Sequence, residues 1–85
     1  MCRRCQGVQR NILKCFGQTV RKIRLSKGIS QEKFADMCEL HRTYISDIEL
    51  GKRNVSLENI EKMSVALELK ISQLFEEVER NEAIS

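Results

Sequence analysis

The chain has no proline and no tryptophan, one tyrosine, three phenylalanines and only four glycines. Without proline, nothing removes a backbone donor from a helix interior, and the scarcity of glycine and aromatics argues against a loop-rich or all-β fold. No stretch of about 18 apolar residues occurs, so no membrane-spanning helix is expected. Arg3 and Arg4 stand near the start, but no apolar run follows them. The N-terminus therefore does not read as a secretory signal, and a cytoplasmic protein is expected. The single histidine, with no paired acids, nucleophile–base pattern or phosphate loop, offers no catalytic constellation. Neither an enzyme nor a cofactor is expected.

At 85 residues there is room for one domain with a modest, mostly aliphatic core, and a core of that size favours association into a dimer. The net charge is only +3, but it is unevenly placed. Residues 1–54 carry twelve Lys and Arg against five Asp and Glu, a balance of +7, whereas residues 55–85 carry three against seven, or −4. A basic front and an acidic back suit a molecule that turns one face to a polyanion.

Hydrophobic spacing predicts five helices. Val8, Ile12, Phe16, Val20 and Ile23, with Leu13 alongside, form one apolar stripe from about Val8 to Ser26, closed by Gly28. Ser30 caps a second helix with Phe34, Ala35 and Cys38 inside. A third opens at His41, Arg42 and Thr43, keeps Tyr44, Ile45 and Ile48 inside, and stops at Gly51. Ser56 caps the fourth, with Leu57, Ile60, Met63, Ala66 and Leu67 facing inward, and Ser72 caps the fifth, with Leu74, Phe75 and Val78. These divide the chain into an N-terminal extension over 1–15 that continues into the first helix, a domain over 16–79, and a polar tail over 80–85 expected to fray.

The segment from Gln31 to Glu49 is the most specific. Two short helices joined by about three residues must cross steeply, which calls for small Ala35 at the crossing, Leu40 in the turn, and Ile45 and Ile48 beneath the second of the pair. Arg42, Thr43, Ser46 and Asp47 then point outward from a helix of the kind that fits the major groove of DNA.

Ile23-Arg24, Gly28-Ile29-Ser30-Gln31, Phe34-Ala35 and the run Leu40 to Asn54 resemble the Cro and phage-repressor (XRE-like) type of helix-turn-helix. Leu40-His41-Arg42-Thr43-Tyr44-Ile45 is most similar to the controller proteins of restriction–modification systems, small dimeric regulators that bind paired operator sites and time endonuclease expression. The resemblance implies an all-α, five-helix phage-repressor-like domain, and a homodimeric, sequence-specific transcriptional regulator of double-stranded DNA. RNA polymerase joins its partners only if it activates. An antitoxin, phage-type repressor or adaptor of the same fold, working mainly through protein contacts, is the alternative. Family members usually have glycine in the turn where this chain has Glu39, so Glu39 must accept a positive φ at about 1 kcal/mol or the turn must differ.

Docked in this way, Arg42 is the candidate for bidentate readout of guanine, and Thr43 for a thymine methyl or base edge. Tyr44 would lay its ring on the domain and aim its hydroxyl at phosphate; packing alone is the bland reading. Ser46 and Asp47 lie further along the face, and Asp47 would repel phosphate unless it accepts from a cytosine amine or orients Arg42. Gln31, at a helix N-terminus, suits phosphate. The resemblance adds Lys52, Arg53 and Asn54 as contacts, Arg24 with Glu49 as a structural ion pair, and Leu69, Ile71, Leu74, Phe75 and Val78 as a two-fold dimer contact. The alternative for that last group is closure of the monomer core.

The four cysteines raise a metal question. Cys2, Cys5, Cys38 and His41 have the spacing of a Cys₃His zinc site. Cys38 and His41 already have ordinary places, inside the second helix and at the cap of the third, so no metal is expected. Cys15 is left over beside Phe16.

Overall fold

A computed structural model of the protein describes residues 11–84, with side chains through Arg80. Among the described residues there are five helices and no strand: α1 (Ile12–Ser26), α2 (Gln31–Cys38), α3 (Arg42–Glu49), α4 (Leu57–Ala66) and α5 (Ile71–Ile84). This is the all-α, five-helix architecture expected from the hydrophobic spacing. The expected start of the first helix at Val8 lies outside the described residues. No helix among them is long and apolar enough to cross a membrane.

Three helices start on side-chain caps. The side chains of Asn11, Ser30 and Ser56 accept from the N–H groups of Lys14, Lys33 and Asn59 at 3.1, 3.0 and 3.2 Å, satisfying donors that a helix start leaves open. The fifth helix departs from expectation. It begins at Ile71, so Ser72 lies inside it rather than at its cap. The N–H of Lys70 instead donates to Gln73 Oε1 at 2.9 Å, the reach-back half of a capping box. The helix then continues to Ile84, through residues expected to fray, where no glycine or proline interrupts it.

The first four helices all end in one way. At each end an N–H bonds back across six residues: Ile29 to Arg24, Leu40 to Ala35, Lys52 to Asp47 and Leu69 to Ser64. Each is a Schellman motif, which requires a left-handed residue just past the helix. Those residues are Gly28 (φ 71°), Glu39 (φ 60°), Gly51 (φ 76°) and Glu68 (φ 62°). Glu39 thus takes the positive φ its position demands, and Glu68 repeats the arrangement where the spacing of apolar residues gave no sign of it. Ile29, Leu40 and Leu69, which follow three of these turns, pack on the core and hold the turns shut.

α1 packs against α3 and α5, α2 against α3 and α4, and α4 against α5. Phe34, Ile45, Ile48, Met63, Leu67 and Leu74 are fully enclosed between them. Two residues expected inside are not. Ile12 and Leu57 are 42% and 73% exposed, because each is the first residue of its helix and projects beyond the packed layer. The buried Thr19 hydroxyl donates to the Cys15 carbonyl at 2.8 Å, so it adds no unpaired polar group to the core.

The two glutamates in left-handed turns make a direct test. Replacing Glu39 or Glu68 by glycine removes the Cβ strain but raises unfolded-state entropy, leaving a net gain of roughly 0.5–1 kcal/mol each. Thermal melts of Glu39→Gly and Glu68→Gly should therefore shift upward; unchanged or lower midpoints would mean that the two turns carry no such strain.

Candidate nucleic-acid interface

The pose of α3 is set by α1 beneath it. A Cβ at Gly17 would lie 2.1 Å from the Ile48 carbonyl oxygen, so only glycine allows the two backbones this close. At the far end of α3, a Cβ on Gly51 would come within 2.9 Å of the Lys14 Cα, so this turn is pressed against α1 as well. Ile45 and Ile48 are fully buried on the inner side.

Between the helices lies a buried polar network. Arg24 and Glu49 form a bidentate pair, with Nε to Oε2 at 2.7 Å and Nη2 to Oε1 at 3.0 Å, and their side chains are 6% and 2% exposed. The remaining Arg24 nitrogen, Nη1, donates to the Ile29 carbonyl at 2.7 Å. Gln31 Nε2 donates to Glu49 Oε1 at 3.0 Å. A pair this deep needs its other donors and acceptors satisfied, and here the α1–α2 turn and the first residue of α2 supply them. The ion pair expected from the resemblance is therefore present, and it holds three helices rather than two.

Gln31 was expected to touch phosphate. It lies at the N-terminus of α2, half-buried, with one amide hydrogen committed to Glu49 and the other left for an outside partner. It lines a groove with Lys14, Gln18 and Arg21 of α1, with Ser46 and Glu49 of α3 and with Leu50 just after that helix. Neither Lys14 nor Arg21 was among the expected contacts. Both fall on the side of α1 away from its apolar stripe, where spacing alone reads them as solvated surface.

On the outer face, Arg42 and Thr43 occupy the first turn of α3 and are exposed, while Ser46 and Asp47 one turn later are partly covered. His41 stands at the cap position but makes no side-chain capping bond, so the first N–H groups of α3 stay open. Lys52, Arg53 and Asn54 follow the helix and are all exposed. Tyr44 is half-buried, its hydroxyl accepting from Asn59 Nδ2 at 2.9 Å, and the Arg53 guanidinium lies 5.0 Å from its ring centroid. Asp47 meets Arg53, with Oδ2 to Nε at 3.5 Å, and not Arg42. Gln31 thus opens α2 at a groove shared with α3, Arg42, Thr43 and Ser46 stand on α3, Lys52, Arg53 and Asn54 follow it, and of the two carboxylates in α3 that of Asp47 stands on the outer side while that of Glu49 is buried.

The expected dimer contact divides. Leu74 and Val78 are fully buried within the single chain and cannot meet a second copy, because α5 turns that side onto α1 and α4. Phe75 is half-buried, its ring 5.7 Å from that of Phe16, and Leu69 is half-buried too. Ile71 remains 36% exposed, and Val65, not anticipated, is 67% exposed. Cys2 and Cys5 lie outside the described residues. Cys38 faces the core near the Lys62 carbonyl, and burial pushes its thiol up from 9.0 to about 11, against a smaller opposing pull from Lys62. His41 is exposed, whereas Cys38 is buried.

The fold and this face define a helix-turn-helix protein, and the chain belongs to that family, whose model matches residues 20–74. Within the family it belongs with the control proteins of restriction–modification systems. It is 63% identical over 67 residues to the control protein C.BamHI of Bacillus amyloliquefaciens, covering 78% of this chain and 83% of that protein. Its fold matches the restriction–modification controller protein C.AhdI from Aeromonas hydrophila with a TM-score of 0.72 at 46% identity, over 74% of this chain and 96% of that one. It also matches the controller protein C.Esp1396I, solved as a tetramer in complex with its natural 35 base-pair operator, with a TM-score of 0.79 at 35% identity, over 85% of this chain and 95% of that one.

The buried pair has a measurable signature. Arg24→Met or Glu49→Leu alone leaves a charge stranded in the interior and should cost roughly 3–5 kcal/mol of unfolding free energy, while the double variant should recover much of that loss. Losses that simply add in chemical denaturation would mean the two residues are not coupled.

Proposed function

We propose that this protein is a sequence-specific regulator of transcription that binds an operator in double-stranded DNA as a homodimer and controls a restriction–modification system. The observation that carries this reading is the outward face of α3. Arg42 and Thr43 are exposed on its first turn, while Ile45, Ile48 and the Glu49 pair fix the same helix from beneath. A short helix held rigidly on a domain, with its N-terminal side chains free, fits the major groove. The relation to controller proteins, one of them solved on its operator, supports the same reading. A regulator of this kind works in the cytoplasm.

Arg42 reads guanine through its two-pronged guanidinium, and Thr43 packs against a neighbouring thymine methyl or base edge. Gln31, with its spare amide hydrogen, and Lys52, Arg53 and Asn54 hold the phosphate backbone on either side; Lys14 and Arg21 extend that track along α1. Tyr44, already accepting from Asn59, donates its hydroxyl proton to a phosphate. Ser46 borders the readout residues. The second copy docks through Ile71, Val65 and the exposed edges of Leu69 and Phe75, pairing two recognition helices on a two-fold site.

In gel-shift or anisotropy titrations, affinity for the preferred duplex should fall steeply with salt, as expected for roughly six to ten phosphate contacts. Arg42→Ala should lose about 1–3 kcal/mol on that duplex and little on random DNA. An unchanged ratio between the two would remove Arg42 from the readout. Separately, Ile71→Glu should convert the dimer to a monomer in sedimentation while the helical spectrum is retained; a dimer that persists places the interface elsewhere.

A further inference from the structure

The one carboxylate on the outer face of α3 needs an account. Tyr44 and Asp47 are three residues apart, so they lie side by side on the helix. Arg53, returning from the turn after α3, lies across both: its guanidinium carbon is 5.0 Å from the Tyr44 ring centroid and its Nε is 3.5 Å from Asp47 Oδ2. The ring is itself tied to α4 by the 2.9 Å bond from Asn59 Nδ2 to the Tyr44 hydroxyl. Arg53 is therefore held against two groups whose positions belong to packed helices, although it sits in a turn.

We propose that Asp47 is a positioning residue that holds Arg53 against Tyr44 and thereby sets the preference for the operator over other duplexes. The inference rests on the DNA-binding reading above. A long, half-exposed arginine left alone beside a polyanion reaches for any phosphate, which strengthens binding without regard to sequence. With its Nε on Asp47, the guanidinium keeps one orientation and presents its outer N–H groups along α3. The contact is loose, with the two side chains 51% and 31% exposed, so it is weak enough to be exchanged when the correct duplex arrives. It also masks a carboxylate that phosphate would otherwise repel.

The test uses the full-length protein, the duplex that wild type enriches from a random library, and a scrambled duplex of the same composition. Asp47→Asn should tighten binding to the scrambled duplex roughly two- to fivefold, with little gain on the enriched one, so the preference drops by a similar factor. The salt slope on scrambled DNA should steepen by about one as Arg53 takes up another phosphate. In an Arg53→Ala background, where the carboxylate is unmasked, Asp47→Asn should tighten both duplexes alike and leave the preference unchanged. A preference that drops equally in both backgrounds would show that Asp47 does not act through Arg53 and overturn the proposal, as would an equal gain on both duplexes in the wild-type background. Wild type that enriches no duplex at all would overturn the DNA-binding reading and this inference with it; enrichment followed by an additive cycle overturns the inference alone.

Discussion

The bidentate pair between Arg24 and Glu49 is the contact on which the candidate interface depends. It is among the most deeply buried polar groups in the chain, and it joins residues 25 apart in sequence. Charges taken this far from water give no stability unless their remaining hydrogen-bonding groups are also met. Arg24 meets the requirement through the Ile29 carbonyl, and Glu49 through Gln31. The cost of burying the pair therefore falls only when the end of α1, the start of α2 and the end of α3 are all in place. That mutual dependence fixes the angle at which α3 leaves the domain, and so where Arg42 and Thr43 point.

Steric constraints act in the same direction. Gly17 lets the α1 and α3 backbones meet, and Gly51 lets the turn after α3 lie on Lys14. The Schellman turns complete the frame, since each aims an apolar residue back at the core or starts the next helix at a defined angle. Two of the four left-handed positions are filled by glutamate, which costs stability at places where geometry, not side-chain chemistry, is required. The domain accepts that cost because the following Leu40 and Leu69 are packed on the core and leave the turn no alternative path.

The face above this frame mixes fixed and movable parts. Gln31 and Tyr44 each have one polar group committed within the domain, to Glu49 and from Asn59, and keep further hydrogen-bonding capacity for an outside partner. Arg42, Thr43 and Lys52 are exposed, whereas Arg53 is tethered loosely. A face of this kind combines readout from a rigid helix with backbone contacts from a turn that can adjust, a division that suits binding in which position comes from phosphates and specificity from base edges.

Much of the site was legible from local pattern. The 3- and 4-residue apolar spacing marked all five helices, and Ser30 and Ser56 marked two starts, whereas the choice at Glu39 between a positive φ and a different turn came from the family resemblance. The expectation of a buried Arg24–Glu49 pair came from the family resemblance, and no local signal would have added Gln31 to it. Other features depended on distance in space. Periodicity places Leu74 and Val78 on an apolar side of α5 but cannot say whether α1 or a second copy covers that side, and burial in the single chain decided it. Ile12 and Leu57 satisfy the same spacing and still face outward, because a stripe does not tell where a helix starts relative to the core. The sequence by itself determined where five helices lie and which residues are apolar or charged, because those are properties of neighbours along the chain. Only the tertiary structure decided that Arg53 would turn back to Asp47 and Tyr44, and that Lys14 and Arg21 would line a groove with Gln31, because those contacts exist only once separate helices are packed together.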